Sequence, residues 1–188
     1  VEIGGKPMLW HIMKMFACQG FNEFIVALGY KGDYIKEFFL NYRSLQSDLT
    51  IDLGSGEVEL HPNSVPDDWT VTLVDTGADS MTGGRLGRVR DYLKDEEAFC
   101  FTYGDGLSDI NVKKLVNFHN DQKTTCTVTA VQPPGRFGAL NIKKDKIINF
   151  KEKPPGDQSW VNGGYFVLEP TVFDYLQNDD TVWERKPL

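Results

Sequence analysis

Residues Ala98–Asp109 read AFCFTYGDGLSD. Phe99 to Tyr103 is a short apolar run rich in aromatic residues, and it stops abruptly at Gly104-Asp105-Gly106. A run of this length fits a strand buried on both faces of a parallel sheet. Val112, Leu115, Val116 and His119 then recur at helical spacing, with Asp109 placed to cap the helix. Asp105 therefore falls at the carboxyl end of a buried strand, on the turn into a helix. Open α/β sheets bind their ligands at that edge. The flanking glycines let a phosphate or a substrate approach closely, and a carboxylate is a hard oxygen ligand suited to Mg²⁺ beside a nucleoside triphosphate. The competing local reading is an Asp-Gly hairpin turn; the helical pattern that follows opposes it.

Outward from this stretch the same grammar repeats. Lys6-Pro7-Met8 opens a helix carrying Met8, Leu9, Ile12, Met13, Phe16 and Ala17 on one face, with Gly20 as its stop. Phe24–Leu28 reads as a buried strand, and Asp33 is placed to cap a helix bearing Ile35, Phe38, Phe39 and Tyr42. This strand and helix alternation predicts a mostly parallel central sheet with helices on both faces. Residues 45–69 break the rhythm. Leu49, Ile51 and Leu53 alternate with polar residues, as do Val58 and Leu60, around Gly54-Ser55-Gly56, which predicts a hairpin inserted within a single domain spanning 1–188.

Trp69–Asp75 is again strand-like, and Ser80 to Arg85 opens a helix with Leu86, Val89, Arg90 and Leu93 on one face. A glycine pair, Gly83-Gly84, at that helix start fits two uses: amides and side chains of Thr82 and Arg85 offered to an anion or a base edge, or close packing under a capped helix. Thr125–Gln132 alternates as a strand, and residues 136–150 predict a hairpin turning at Lys143–Lys146. Lys151-Glu152-Lys153 fits either a solvated edge or a pairing of carboxylate and ammonium with a sugar phosphate. Asn162-Gly163-Gly164 leads into the last strand, Tyr165–Leu168, and Thr171–Tyr175 begins a helix.

The bulk properties narrow the class. The chain has 188 residues, enough for a domain that buries roughly 70% of its unfolded surface. Its formal charge of −7 opposes non-specific association with nucleic acid or anionic membrane. No apolar run reaches the ~20 residues of a spanning helix. Cys18, Cys100 and Cys126 lack any Cys-x-x-Cys spacing and read as structural thiols of a reducing compartment. His11, His61 and His119 show no metal-ligand spacing.

Taken together, VEIGGKPML, DTG, TGGRLGRVRDYL, FTYGDGLSDIN, PPGRFGAL, FKEKP and NGGYFVL, in this order, resemble the sugar-1-phosphate nucleotidylyltransferases over essentially the whole chain. YGDG, TGGR and PPGRFGAL favour the branch that uses CTP and glucose 1-phosphate. The resemblance implies a Rossmann-like nucleotide-diphospho-sugar transferase fold. It also implies attack of the sugar phosphate on the α-phosphorus of CTP, giving CDP-glucose and pyrophosphate with Mg²⁺ as cofactor and no covalent nucleophile. By position, the resemblance assigns Asp105 to the metal and Gly104, Thr82, Gly83 and Arg85 to the nucleotide. Phe137 and Gly138 fall to the sugar, Glu152 to its hydroxyls, Lys153 to its phosphate, and Asn162 and Gly163 to the rest of the sugar pocket. It further implies a cytoplasmic homo-oligomer making a precursor of bacterial surface polysaccharide.

The family's glycine-rich phosphate loop and a basic Lys-Pro segment are expected before Val1, and a second metal-binding aspartate beyond Leu188. The 188 residues are therefore expected to be an internal piece, truncated at both ends and inactive alone. Other readings compete. A binding or regulatory subunit of the same fold, or a sister enzyme taking UTP or dTTP, would share these motifs. A dinucleotide oxidoreductase would need a Gly-x-Gly-x-x-Gly turn absent from these strands, and a metal-dependent glycosyltransferase would need an Asp-x-Asp pair where residue 107 is Leu.

Overall fold

The computed structural model describes residues 2–63, 67–133, 139–151 and 160–188. In chain order the elements begin with β1 (Glu2–Ile3), β2 (Lys6–Pro7), α1 (Met8–Ala17), β3 (Glu23–Leu28), α2 (Gly32–Leu40) and α3 (Tyr42–Leu45). They continue with β4 (Ser47–Ile51), β5 (Val58–Pro62), β6 (Thr70–Asp75), α4 (Thr82–Arg88), α5 (Arg90–Leu93) and β7 (Phe99–Thr102). The remainder is α6 (Val112–Gln122), β8 (Cys126–Val131), β9 (Ala139–Lys143), β10 (Lys146–Lys151), β11 (Val161–Leu168) and a 3-10 helix (Pro170–Tyr175). The chain divides into two compact units, residues 1–12 with 97–169 and residues 13–96 with 170–188.

The first unit is built on β7, β8 and β11. β7 leads through α6 to β8, and β11 lies between the two strands, antiparallel to both. This differs from the parallel continuation expected from sequence. Alternating patterns report which face of a strand is buried, and they carry no information on strand direction. β11 fills the lane that the β7–α6–β8 crossover leaves open. Phe99 to Thr102 are half-buried, not buried on both faces. The fully buried centre is Tyr165 to Leu168, with Val112 and His119 of α6.

The cap of α6 is Asn111, whose side chain accepts from the Lys114 amide at 2.9 Å, and not Asp109. The apolar stripe begins at Val112, so the capping oxygen has to come from the residue just before it.

The second unit holds a parallel pair, β3 and β6, in unbroken register from Glu23↔Thr70 to Leu28↔Asp75. Parallel pairing is confined to this pair among the described strands. α2 starts after Lys31, which adopts a left-handed φ of 59° and gives no side-chain cap. Asp33 falls inside the first turn instead of capping it, because the Gly32 amide already closes on the Gly29 carbonyl at 2.9 Å. β4 and β5 form an antiparallel hairpin. The helix expected through Leu93 breaks at Val89 into α4 and α5.

The segment after the 3-10 helix closes over α4. Asp179 carbonyl accepts from the Met81 amide at 2.8 Å, and Thr181 carbonyl accepts from the Gly84 amide at 3.1 Å. The Arg88 guanidinium grips the Asp179 carboxylate with two hydrogen bonds.

Candidate functional site

In the first unit the candidate residues gather at one end of the β7/β11 pair. Thr102 stands opposite Tyr165 in the ladder, and its hydroxyl donates to the Gly164 carbonyl at 2.8 Å. The strand ends beyond them, Tyr103-Gly104-Asp105 and Asn162-Gly163-Gly164, therefore share an edge. Asn162 accepts from the Gly164 amide at 2.7 Å. Gly163 is required by close approach: a Cβ there would lie 2.8 Å from the Thr129 hydroxyl. That hydroxyl also donates to the Tyr165 carbonyl at 3.0 Å and accepts from its amide at 3.2 Å, bridging the irregular stretch of the β8/β11 ladder.

Asp105 is exposed. A Cβ added at Gly104 or Gly106 would meet nothing within 4 Å, so the turn is uncrowded at the residues on either side of it. The buried Tyr165 donates its hydroxyl to the Gly106 carbonyl at 2.9 Å, which ties down the residue after Asp105. From sequence Tyr165 reads only as a strand residue. The signal was available: a buried tyrosine needs a partner for its hydroxyl, and a glycine-rich turn offers carbonyls.

Among the described residues no group of three or more His, Cys, Asp or Glu could hold a metal ion. A single exposed carboxylate with room around it still fits Mg²⁺, which is commonly bound through one or two carboxylates together with substrate phosphates. Covalent catalysis by the thiols of this unit is disfavoured. Burial pushes the Cys100 thiol up to about 11 and raises Cys126 as well, so neither supplies thiolate near neutrality. His119 is buried and shares a 2.8 Å hydrogen bond with the Thr127 hydroxyl.

In the second unit, Arg85 lies against the carboxyl ends of β3 and β6. Its Nη1 donates to the Leu28 carbonyl (3.2 Å), the Thr76 hydroxyl (2.9 Å) and the Gly77 carbonyl (2.9 Å), and its Nη2 to the Ala78 carbonyl (3.0 Å). Thr76, fully buried, donates to the Leu28 carbonyl at 2.7 Å. The guanidinium carries five N–H donors, and these bonds leave Nε and one Nη2 hydrogen without a partner among the described residues.

Thr82 is engaged with the closing segment, donating to the Glu184 carboxylate at 2.8 Å and accepting from the Trp183 amide at 2.9 Å. The glycine pair admits that segment. A Cβ at Gly83 would sit 2.8 Å from the Thr181 carbonyl oxygen, and one at Gly84 only 2.3 Å from that of Asp179. Close packing is thus one use this glycine pair serves, and the Gly84 amide is taken up by the closing segment. Phe137, Gly138, Glu152 and Lys153 lie outside the described residues.

A profile of the family described as nucleotidyl transferase matches residues 1–187. The chain belongs to the nucleotidyl transferase family. It is 53% identical over all 188 residues to a glucose-1-phosphate cytidylyltransferase of Salmonella typhimurium, covering 73% of that protein. It is 45% identical over 187 residues to a probable glucose-1-phosphate cytidylyltransferase of Bacillus subtilis, covering 72% of it.

Among solved structures, HddC from Yersinia pseudotuberculosis superposes with a TM-score of 0.67 at 23% identity, over 98% of this chain and 72% of that one. UDP-glucose pyrophosphorylase complexed with UDP-glucose superposes with a TM-score of 0.59 at 14% identity, over 94% and 69%. These likenesses show the fold: the chain has the mixed α/β architecture of the nucleotidyl transferases, as its motifs implied.

Proposed function

We propose that the protein transfers a cytidylyl group from CTP to α-D-glucose 1-phosphate, giving CDP-glucose and pyrophosphate. The observation that carries this is the 53% identity, without a gap in coverage of this chain, to a relative named for glucose-1-phosphate cytidylyl transfer. In the reaction a phosphate oxygen of the sugar phosphate bonds to the α-phosphorus. The bond from that phosphorus to the oxygen bridging to the β-phosphate breaks, and pyrophosphate leaves with the electron pair. Such chemistry depends on positioning and on neutralising crowded oxygens.

Asp105 is the residue that would hold Mg²⁺, and the metal when bound would supply charge neutralisation on the phosphates. Gly104 leaves the space through which the triphosphate passes. Arg85 offers its remaining N–H donors to the nucleotide, and Thr82 and Gly83 at the start of α4 bind it as well. Asn162 and Gly163 contribute to the sugar pocket. Glu152 binds the sugar hydroxyls and Lys153 its phosphate, and Phe137 and Gly138 also serve the sugar. The reading extends to a homo-oligomer working in the cytoplasm, where CTP is available, with the product serving surface-polysaccharide synthesis.

Pyrophosphate release by the full-length protein tests it, with each of the four nucleoside triphosphates and Mg²⁺, with and without glucose 1-phosphate. Release that requires both CTP and the sugar phosphate is expected. Release with UTP or dTTP instead would move the protein to a sister specificity. No release from folded protein with any pair would favour a binding subunit.

A further inference from the structure

β3 ends at Leu28 and β6 at Asp75, and the residues that follow them, Gly29 and Thr76, receive the Arg85 side chain. Thr76 is fully buried. Its hydroxyl gives its one proton to the Leu28 carbonyl, which leaves a lone pair to accept from Arg85 Nη1. A Cβ at Gly29 would stand 2.1 Å from Nη1, 2.4 Å from Nη2 and 2.5 Å from Cζ of Arg85. The guanidinium therefore occupies the space that any side chain at residue 29 would fill. Gly29 has no left-handed φ, so its backbone suits alanine, and what excludes a methyl there is Arg85.

This seat is made of neutral acceptors: the carbonyls of Leu28, Gly77 and Ala78 and the Thr76 hydroxyl. Among the described residues Arg85 makes no ion pair, whereas the nearby Arg88 and Arg90 are paired with Asp179 and Asp174. A guanidinium fixed by neutral oxygens keeps its charge for an anionic ligand, and its forked donors suit the oxygens of a nucleotide. The place is right as well, because β3 and β6 are parallel and ligands of such sheets sit outside the carboxyl ends of the strands. We infer that Gly29 and Thr76 are positioning residues for the nucleotide, acting through Arg85. Gly29 leaves the space that the guanidinium fills, and the Thr76 hydroxyl holds it there. The inference rests on the reading above in which Arg85 meets the nucleotide.

Gly29→Ala brings a methyl into that space. Non-bonded heavy atoms sit about 3.5 Å apart, so the guanidinium must withdraw by about 1 Å. Its 2.9 Å hydrogen bonds to Thr76 and Gly77 then pass out of range. Thr76→Val keeps the shape of the side chain and removes the acceptor, while Thr76→Ser keeps the hydroxyl. Asn162 and Gly163, assigned to the sugar, belong to the other compact unit, so the loss should fall on CTP.

Pyrophosphate release by the full-length protein, with CTP and glucose 1-phosphate varied in turn, tests this. Gly29→Ala should raise KM for CTP ~10-fold, the scale of one hydrogen bond to a charged group, and KM for glucose 1-phosphate by less than ~2-fold. Combined with Arg85→Ala it should add less than ~2-fold, because the methyl then meets no guanidinium. Thr76→Val should reproduce the shift in KM for CTP and Thr76→Ser should reverse it; this pair carries the test where Gly29→Ala does not fold. A KM for CTP that neither Gly29→Ala nor Thr76→Val moves in folded protein would overturn the inference and leave cytidylyl transfer standing. So would both KM values raised alike, or effects of Gly29→Ala and Arg85→Ala that multiply. A folded parent that releases no pyrophosphate would overturn the transfer reading instead, and calorimetric CTP binding across the same variants then decides the seat by the same ratios. A parent that binds no CTP would overturn both.

Discussion

Replacing Gly84 by alanine should destabilise the second unit, while the same substitution three residues later should not. At Gly84 the new Cβ would stand 2.3 Å from the Asp179 carbonyl oxygen and 2.6 Å from its Cα, both backbone atoms. An ordinary C···O contact is about 3.3 Å, so the closing segment must retreat by about 1 Å. Overpacking of this kind costs roughly 1–3 kcal/mol. The retreat also strains the hydrogen bond from the Met81 amide to the Asp179 carbonyl, worth about 1 kcal/mol. Helix propensity returns about 1 kcal/mol, leaving a net loss of about 2 kcal/mol.

At Gly87 the nearest atoms are Leu176 side-chain carbons at 3.8 and 3.9 Å, an ordinary contact. There the propensity gain stands alone, up to about 1 kcal/mol. Urea denaturation followed by circular dichroism separates the two. With a slope of about 2 kcal/mol/M the midpoints should differ by about 1.5 M, Gly84→Ala the lower. Midpoints that coincide would refute the close-packing account of the glycine pair.

Asp105→Ala in the full-length enzyme should lower the rate of pyrophosphate release by at least ~100-fold, about 2.7 kcal/mol of barrier; a change below about threefold would reduce Asp105 to a turn residue. Iodoacetamide at mildly alkaline pH should modify the exposed Cys18 first and Cys100 last, since burial pushes the latter thiol up to about 11, and mass spectrometry of partially labelled protein reads the order. The hydrogen bonds from Arg88 hold the Asp179 carboxyl below its ordinary value of 3.8. Its contribution to stability is therefore complete above that value and fades as pH falls through the folded-state pKa. Asp179→Asn should flatten the acid limb of the stability profile, and acid limbs that run parallel in parent and variant would exclude the pair as a source of that slope.

Much of this architecture could be read from the residues because the signals are local. The aromatic run before Gly104 becomes β7, the alternation around Gly54-Ser55-Gly56 becomes the β4/β5 ribbon, and the motif order leads to the family. What could not be read depends on partners distant in sequence. Nothing local to Tyr165–Leu168 states that β11 runs against both neighbours. Nothing near Gly83-Gly84 states that residues 179–184 fold back over them. The two misplaced helix caps are smaller failures with a shared cause: Asp33 and Asp109 are good capping types, but the capping position is fixed by where the helical hydrogen bonds begin, at Gly32 and Val112. At the candidate site the strand-end position of Asp105 was legible, whereas the Tyr165 tether on Gly106 and the Arg85 tether on the β3 and β6 ends required the folded chain.

The interposed strand β11 also sets a timetable. Thr102 and the Gly164 carbonyl it holds are 62 residues apart, and Thr82 and the Trp183 amide are 101 apart. As the chain leaves the ribosome, β7 and β8 emerge with the lane between them vacant, and α4 emerges without its cover. Neither unit can finish until its late segment arrives. Residues 97–169, nested between the two parts of the other unit, are complete first. Such distant closures are slow, and until they occur apolar surface and unpaired strand edges stay open to chaperones or to aggregation. The yield of folded protein should therefore depend on how quickly residues 161–184 follow the strands and helix they close.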